Sequence, residues 1–254
     1  MTTLGILQAR MTSSRLPGKV LAPILDMPMI GRQIERLRRA TLLDGLVVAT
    51  STSPSDDGLV AYLGELDVPV IRGPLDDVLG RFALVIEEYS PDVVVRLTAD
   101  CPLASPLVID RVIGTFAESD LDYLSNTLMP TYPDGLDVEV VRASVLTWAA
   151  ANLTDPPERE HVTLGIYRRP ELFTLGNVLH SDDLSGLRWT VDTPEDLEFV
   201  RSVYGRLYEG NPEFDLDDVL ALVRSSPELT RTSTDGVRNA ALEGLDTGAM
   251  RKAL

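Results

Sequence analysis

The chain has 254 residues, of which 44 % are hydrophobic, so it is long and apolar enough to bury a core in one large domain or two small ones. Its formal net charge of -16 argues against nucleic acid as a partner, because an acidic surface repels a phosphate backbone. There is no run of about 18 apolar residues and no basic N-terminal region followed by an apolar core, so we expect a cytoplasmic protein without membrane contact. The single cysteine, Cys101, excludes an internal disulfide and a cysteine zinc site.

The N-terminal stretch predicts a buried strand followed by an anion-binding loop. Residues 4–7 are apolar and too few for a buried helix, which favours a strand. The loop after them combines cations, hydroxyls and Gly18, which lets the backbone approach an anion closely. It lacks both the GxxxxGK(S/T) spacing of a Walker loop and the GxGxxG spacing of a dinucleotide site. The alternative is a solvated basic loop without a ligand. The residues expected near the anion are Arg10, Ser13, Ser14, Arg15, Gly18 and Lys19.

Lys19 is one of two lysines among the 23 basic residues, and the other, Lys252, lies close to the C-terminus. Arginine suits two-pronged contacts, whereas lysine is a flexible point charge that can follow a phosphate whose geometry changes during a reaction. We therefore expect Lys19 to neutralise a phosphate. As a loop residue, it is also expected to be exposed and to contribute little to stability.

Strand and helix patterns alternate after this loop. Apolar residues recur on one helix face over residues 31–40, and residues 46–50 form a second buried strand. That strand ends in a loop at the sheet edge where α/β proteins bind ligands. A helix over 59–66 and a strand over 68–71 follow, and Asp76 and Asp77 suit the N-terminal end of the next helix.

Residues 92–102 contain a near-continuous apolar run that ends in Asp100, the pattern of a central parallel strand with a carboxylate at its C-terminal edge. Asp100 is therefore the first choice for a metal ligand. The alternative is a cap of the helix that begins near Pro106. Cys101 is expected to be a packed residue beside the site rather than a nucleophile, because no neighbouring base or helix terminus lowers its pKa.

Residues 136–141 alternate acidic and apolar side chains after a Pro-Asp-Gly turn, which predicts a strand with one acidic face. Asp137 and Glu139 would share that face, which points either into a polar cleft or to solvent. Helices are predicted over 108–116 and 143–152. His161 follows two acids that are able to orient its ring, although a lone histidine is often structural.

Residues 187–198 predict a strand and then a helix start, with Pro194 near the first helical position and acids in the first turn. Asp192, just before that helix, is either a helix cap or a functional acid. A final amphipathic helix is predicted over 214–226. Beyond about residue 228 the sequence turns polar, so we expect the last residues to be loosely held or to form a subunit contact.

Three of these stretches resemble one family. Residues 8–21 are similar to the QARMxSxRLPGKxL signature of nucleotide-sugar cytidylyltransferases, 159–163 to the family's REHVT segment, and 191–197 to its VDTPEDL motif. The similarity covers about residues 3–225 and points to the spore-coat polysaccharide (SpsF-like) branch, which is similar to CMP-sugar synthetases. It implies a three-layer α/β sandwich with a mostly parallel mixed sheet, the GT-A-like, Rossmann-like fold of nucleotide-diphospho-sugar transferases. It also implies a catalytic domain over 1–228, an extension at 126–141 that pairs subunits in a homodimer, and a tail over 229–254.

The resemblance implies that CMP moves from CTP to a sugar hydroxyl with release of pyrophosphate, in the synthesis of surface polysaccharide or glycoconjugate precursors. Positioning and charge neutralisation would dominate such a reaction. The catalytic residues would be Arg10, Lys19 and Asp100, and Mg²⁺ would bind Asp100 and Asp192. The nucleotide would contact Gln8, Ala9, Arg10, Ser13, Arg15, Gly18, Lys19, Arg72, Asp77 and Arg81, and the acceptor sugar would contact Asp137, Glu139, Glu160 and His161.

Two other functions stay open. A glycosyltransferase on the same fold would carry paired acids after a central strand, where this chain has Thr98-Ala99-Asp100. A non-catalytic nucleotide-binding protein would be expected to lose a loop cation or a metal acid, and none is missing. If the acids near the acceptor face the cleft and the arginines at 159, 168 and 169 face away, a neutral or amino sugar would be favoured over a sugar acid.

Overall fold

The computed structural model describes residues 1–232 of the chain. They form a seven-stranded sheet and a separate two-stranded hairpin. The apolar runs that predicted strands at residues 4–7, 46–50 and 92–98 all lie in the large sheet. The strands are β1 (Thr3–Gln8), β2 (Pro23–Ile24), β3 (Met27–Pro28), β4 (Gly45–Ser51), β5 (Val70–Gly73), β6 (Val93–Thr98), β7 (Tyr123–Ser125), β8 (Glu139–Arg142) and β9 (Leu175–Asn177).

The large sheet is ordered β5-β4-β1-β6-β8-β7-β9. β1 pairs in parallel with β4 and β6, and β4 pairs in parallel with β5. β8 is antiparallel to both of its neighbours, and β9 is parallel to β7. The predicted mostly parallel mixed α/β sheet is therefore confirmed. The carboxyl ends of β1, β4, β5 and β6 lie along one edge, which is the edge where open α/β sheets bind ligands.

Helices connect the parallel strands, and side-chain caps mark where several of them begin. Thr193 and Asp215 form capping boxes at the starts of two helices. Asp77 caps another by accepting a hydrogen bond from the Gly80 N–H at 2.8 Å, as its place in the sequence predicted. The helices are α1 (Met29–Leu37), α2 (Asp57–Glu65), α3 (Val78–Tyr89), α4 (Pro106–Ala117), α5 (Ala143–Asn152), α6 (Pro156–Glu160), α7 (Leu164–Tyr167), α8 (Pro194–Leu207) and α9 (Leu216–Ser225).

The strands send alternate side chains into two separate cores. Leu7 and Leu97 pack in a core with α1, α4 and α8, whereas Ile6 and Val94 pack in a core with α3 and α5. Helices thus cover both faces of one sheet, which gives the expected three layers. No helix in residues 1–232 combines the length and apolar character needed to cross a membrane.

Segment 126–141 lies inside the chain's own fold. Tyr132, Leu136 and Val138 are at most 2 % exposed, and residues 139–141 belong to β8 within the sheet. Gly135 has a φ of 110°, and a side chain there would meet the backbone of residues 189 and 190 at 2.6 Å, so the turn requires glycine. The apolar side chains of this segment therefore fill the core. Pairing of two subunits stays a prediction.

The strand predicted over residues 187–191 does not form a ladder. Leu187 and Arg188 make single bridges to Thr232 and Asp134. The stretch is extended, but its neighbours are loops rather than a strand. Of the tail predicted for 229–254, residues 233–254 lie outside the described residues, and the described part returns to residues 187 and 188.

Candidate active site

The loop after β1 is closed by backbone hydrogen bonds. The N–H groups of Ser13 and Gly18 both donate to the Met11 carbonyl, at 3.0 and 2.9 Å. Gly18 adopts a φ of 75°, which favours glycine. The hydroxyl of Ser13 accepts a hydrogen bond from the Leu16 N–H at 3.3 Å. These contacts hold the loop's cations at the carboxyl end of the first strand.

Asp56, which the sequence analysis did not single out, anchors this loop to the loop after β4. Its buried carboxylate accepts hydrogen bonds from the Met11 N–H at 2.8 Å and from the side chains of Thr50 and Ser51. Burial by itself would raise the pKa of Asp56, but these hydrogen bonds hold that pKa below its ordinary value. In the sequence, the one indication of this role was the position of Asp56 in a loop that follows a predicted strand.

Lys19 begins one turn of 3₁₀ helix and is only 9 % exposed. Its Nζ donates to the Val191 carbonyl at 2.6 Å and to the Asp192 carboxylate at 3.0 Å, and lies 3.6 Å from the Asp100 carboxylate. The expectation of an exposed lysine is therefore wrong, because two acids and a carbonyl from distant segments surround it. The lysine predicted to bind a phosphate therefore lies beside both of the acids predicted to bind a metal ion.

Backbone contacts bring the two acids together. The N–H of Val191 and the hydroxyl of Thr190 both donate to the Asp100 carbonyl, at 2.8 and 3.2 Å. Partial burial would raise the pKa of Asp100, but the Lys19 ammonium and hydrogen bonds from Thr98 and Cys101 hold that pKa below its ordinary value. Asp100 is thus ionised at neutral pH, with 31 % of its side chain exposed.

The residues present fit Mg²⁺ only with help from a substrate. Within residues 1–232, no group of three or more His, Cys, Asp or Glu side chains is placed to hold a metal ion. Magnesium commonly takes one or two carboxylates from the protein and completes its shell with phosphate oxygens and water. Asp100 and Asp192 match that pattern.

Asp192 also contacts two arginines of different character. Arg15 lies 3.0 Å from its carboxylate and is about half exposed, whereas Arg188 lies 2.9 Å away and is 1 % exposed. Arg188 further pairs with Asp134 and Asp196, at 3.0 and 3.2 Å. Arg188 was not predicted as a site residue. Asp192 and Asp196 follow it by four and eight positions, but Asp134, which is 54 positions away, becomes its neighbour only in the folded chain.

Arg10 and Arg81 are two further cations predicted to contact the nucleotide, and the charge of Arg10 acts on Arg81. Arg10 is partly exposed and pairs with Glu160 at 3.4 Å. Arg81 is 2 % exposed and donates through Nη1 to the carbonyls of Pro74 and Leu75. Its Nε is buried without a hydrogen-bond partner, and burial, with the nearby Arg10 charge, lowers its pKa. The edge of the guanidinium that carries Nε and Nη2 donates to none of the described residues.

The carboxylate of Glu139, predicted to bind the acceptor, pairs with other side chains of the protein. It is 6 % exposed, pairs with Arg96, and accepts hydrogen bonds from Tyr123 at 2.6 Å and Thr163 at 2.7 Å. Arg96 in turn donates through Nε to the side-chain oxygen of Gln8 at 3.0 Å. The amino group of the Gln8 amide therefore points away from Arg96 and is available to a ligand.

His161 is partly buried near this network, and Asp137 is partly buried near Cys101. Burial lowers the pKa of His161, with Glu160 opposing and Arg96 adding to the shift. Burial, followed by the charges of Asp100 and Asp137, raises the pKa of Cys101 well above its ordinary value. Cys101 is thus a packed thiol, as predicted.

Three further predicted residues serve the fold. Arg72 donates to the Ser51 and Ser53 carbonyls, and Asp77, besides capping α3, pairs with Arg159 at 2.7 Å. Ala9 is buried and its N–H donates to a carbonyl of β4. Contact of these residues with a nucleotide stays a prediction.

A mostly parallel sheet with a cationic loop after its first strand, and two acids gathered beside that loop, fits a nucleotidyltransferase. The sequence profile of the family described as Cytidylyltransferase matches residues 4–204. The chain therefore belongs to the cytidylyltransferase family, as the resemblance implied.

Known relatives agree with this assignment. The chain is 33 % identical over 232 residues to the spore coat polysaccharide biosynthesis protein SpsF of Bacillus subtilis, covering 89 % of this chain and 95 % of that protein. It is 28 % identical over 247 residues to the 3-deoxy-manno-octulosonate cytidylyltransferase of Syntrophotalea carbinolica, covering 80 % and 98 %. A solved cytidylyltransferase from Leptospira borgpetersenii matches with a TM-score of 0.86 at 30 % identity, covering 90 % of this chain and 96 % of that one.

Proposed function

We propose that this protein transfers CMP from CTP to a hydroxyl group of a sugar and releases pyrophosphate. The observation that carries the proposal is the position of the Lys19 ammonium beside the carboxylates of Asp100 and Asp192, at the ends of β1 and β6. Family membership supports the nucleotidyl transfer. The names of the relatives, one a cytidylyltransferase for a sugar acid and one a polysaccharide biosynthesis protein, support a sugar as acceptor.

In this reaction the sugar oxygen bonds to the α-phosphorus of CTP as the bond from that phosphorus to the bridging oxygen of the β-phosphate breaks. The bridging oxygen keeps the bonding electrons and leaves with pyrophosphate, and the hydroxyl proton passes to solvent. Negative charge therefore develops on the leaving group. Arg10, Arg15 and Lys19 would neutralise that charge from fixed positions, which lowers the barrier without covalent chemistry from the protein.

Asp100 and Asp192 would hold a magnesium ion. When bound, the ion would supply charge neutralisation at the phosphate oxygens. The protein's own part is to keep the two carboxylates close together. Lys19 does so by lying between two like charges that would otherwise repel each other.

Arg81 is our candidate for reading the base. The edge of its guanidinium with Nε and Nη2 offers two parallel N–H donors, and the buried Nε has no partner among the described residues. Cytosine presents two adjacent acceptors, O2 and N3, whereas uracil carries a donor at N3. A fixed two-donor fork therefore favours CTP over UTP, because UTP would place a donor against a donor.

The acceptor side offers less unbalanced negative charge than the sequence suggested. Glu139 is neutralised by Arg96 and Glu160 by Arg10. Only uncompensated acids would favour a neutral or amino sugar over a sugar acid, so these two residues give no such preference. The amino group of Gln8 adds a donor, which suits a hydroxyl or carboxylate oxygen of the acceptor.

Pyrophosphate release tests the proposal. The purified protein would be incubated with CTP, Mg²⁺ and a panel of neutral, amino and acidic sugars, and the product would be identified by mass as a CMP-sugar. UTP and ATP in place of CTP test the role of the base. Pyrophosphate that appears only with CTP and one class of sugar supports the proposal. Transfer of sugar from a nucleotide sugar without pyrophosphate would indicate the glycosyltransferase alternative instead.

A further inference from the structure

The chain returns to the site beyond the residues that the family profile matches. The profile ends at residue 204, yet the segment 227–232, here called the return segment, contacts the stretch that carries Asp192 through its last two residues, Arg231 and Thr232. The Arg188 N–H donates to the Arg231 carbonyl at 3.0 Å, and Leu187 bridges to Thr232. A segment outside the residues that the family profile matches thus touches the backbone that leads to a candidate metal acid.

The Arg231 side chain contacts the carboxylate that holds that acid in place. Its Nη2 lies 3.1 Å from Asp196, which is fully buried. Asp196 accepts hydrogen bonds from the backbone N–H groups of Asp192 and Thr193, both at 3.0 Å. Arg231 is therefore linked to the backbone of Asp192 through a single intervening residue, Asp196.

The charge balance of this cluster depends on Arg231. The guanidinium of Arg188 faces three carboxylates, those of Asp134, Asp192 and Asp196, and is 1 % exposed. Arg231 supplies a second cation to Asp196. Without it, Asp196 would attract Arg188 more strongly, and Asp192 would lose part of its share of that cation. Asp192 would then bind the Lys19 ammonium more tightly and leave it less able to reach a phosphate.

We propose that Arg231 is a positioning residue for nucleotidyl transfer, which acts through Asp196 and Arg188 on Asp192 and Lys19. The inference rests on the proposed function and adds the return segment to the machinery of the site. It predicts an effect on the triphosphate end of the reaction and none on the acceptor, because within residues 1–232 no hydrogen bond or ion pair joins Arg96 and Glu139 directly to this cluster.

The test compares three variants of the full-length chain. Arg231→Ala should lower kcat about tenfold and weaken CTP binding, measured by calorimetry without metal, about threefold to fivefold, with the KM of the acceptor unchanged. Arg231→Lys should recover at least half of the lost turnover, because lysine keeps a charge near Asp196. Arg224→Ala is the matched control, because Arg224 lies exposed in the last turn of α9, and it should behave as the unchanged protein does.

Two outcomes would overturn the inference. One is a lower melting temperature for Arg231→Ala with kcat and CTP affinity unchanged, which would indicate a purely structural contact. The other is an equal loss of CTP affinity in Arg224→Ala, which would indicate a general effect of charge. If the unchanged protein binds CTP but releases no pyrophosphate with any sugar, the proposed function fails, whereas the CTP affinities of the three variants still decide the role of Arg231.

Discussion

Replacing Lys19 by methionine should remove the ammonium while keeping a side chain of similar length. The first expected effect is on turnover. Because the charge is aimed at the pyrophosphate that leaves, kcat should fall at least about 100-fold, which corresponds to about 2.7 kcal/mol of transition-state stabilisation. The pKa of Asp100 should also rise towards its ordinary value, because the Lys19 charge is the chief influence that lowers it.

The second expected effect is on stability, and here the structure changes the expectation drawn from the sequence. The ammonium lies 3.0 and 3.6 Å from two carboxylates, so each attraction is about 5 kcal/mol at an effective dielectric constant of about 20, before desolvation is counted. Water reaches 15 % and 31 % of the two acid side chains. A net loss of about 1 to 2 kcal/mol is therefore expected, which lowers the melting temperature by about 2 to 8 °C.

Both effects are measurable on the same samples. Pyrophosphate release with CTP and the preferred sugar gives kcat, and differential scanning calorimetry gives the melting temperature. Lys19→Arg should retain part of the kcat and part of the thermal stability. Arg224→Met is the control for the loss of one positive charge elsewhere in the chain. The reasoning would be refuted if the Lys19→Met protein had the same melting temperature as the unchanged protein and a kcat within about threefold of its value.

Three further expectations concern other parts of the site. Asp100→Asn and Asp192→Asn should each reduce Mg²⁺-dependent turnover at least about 100-fold, and the double variant should lose little more, because groups that act through one ion are not additive; losses that multiply would contradict a shared ion. Arg81→Lys should raise the KM for CTP about tenfold and narrow the preference over UTP, since lysine has no fork; an unchanged ratio of kcat/KM values would remove Arg81 from base recognition. Burial keeps the pKa of His161 below its ordinary value in the folded state, so its contribution to stability is complete above about pH 6.5 and is lost as the pH falls towards the folded pKa. Between pH 7.5 and pH 5.5, the free energy of unfolding measured in urea should therefore fall less for His161→Asn than for the unchanged protein. An equal fall in the two proteins would refute this.

The sequence by itself determined the elements whose signals are local. The apolar runs at residues 4–7, 46–50 and 92–98 specified buried strands, because only a strand covered on both faces tolerates so few polar side chains. The loop chemistry around Gly18 and the acid that ends the central strand followed from the same short-range rules. The loop around Gly18, together with residues 159–163 and 191–197, also carried the resemblance to cytidylyltransferases, which the family profile confirmed.

Tertiary structure alone decided how these parts meet. Lys19 and Asp192 are 173 positions apart, and Gln8 and Arg96 are 88 apart, so no local pattern reveals either contact. The acidic face predicted around Glu139 proved to be neutralised by an arginine on a neighbouring strand, because cross-strand pairing depends on register rather than on the strand's own sequence. In the same way, residues 187–191 have the composition of a strand but lie beside loops. The neighbours of such a segment are determined only when the chain packs.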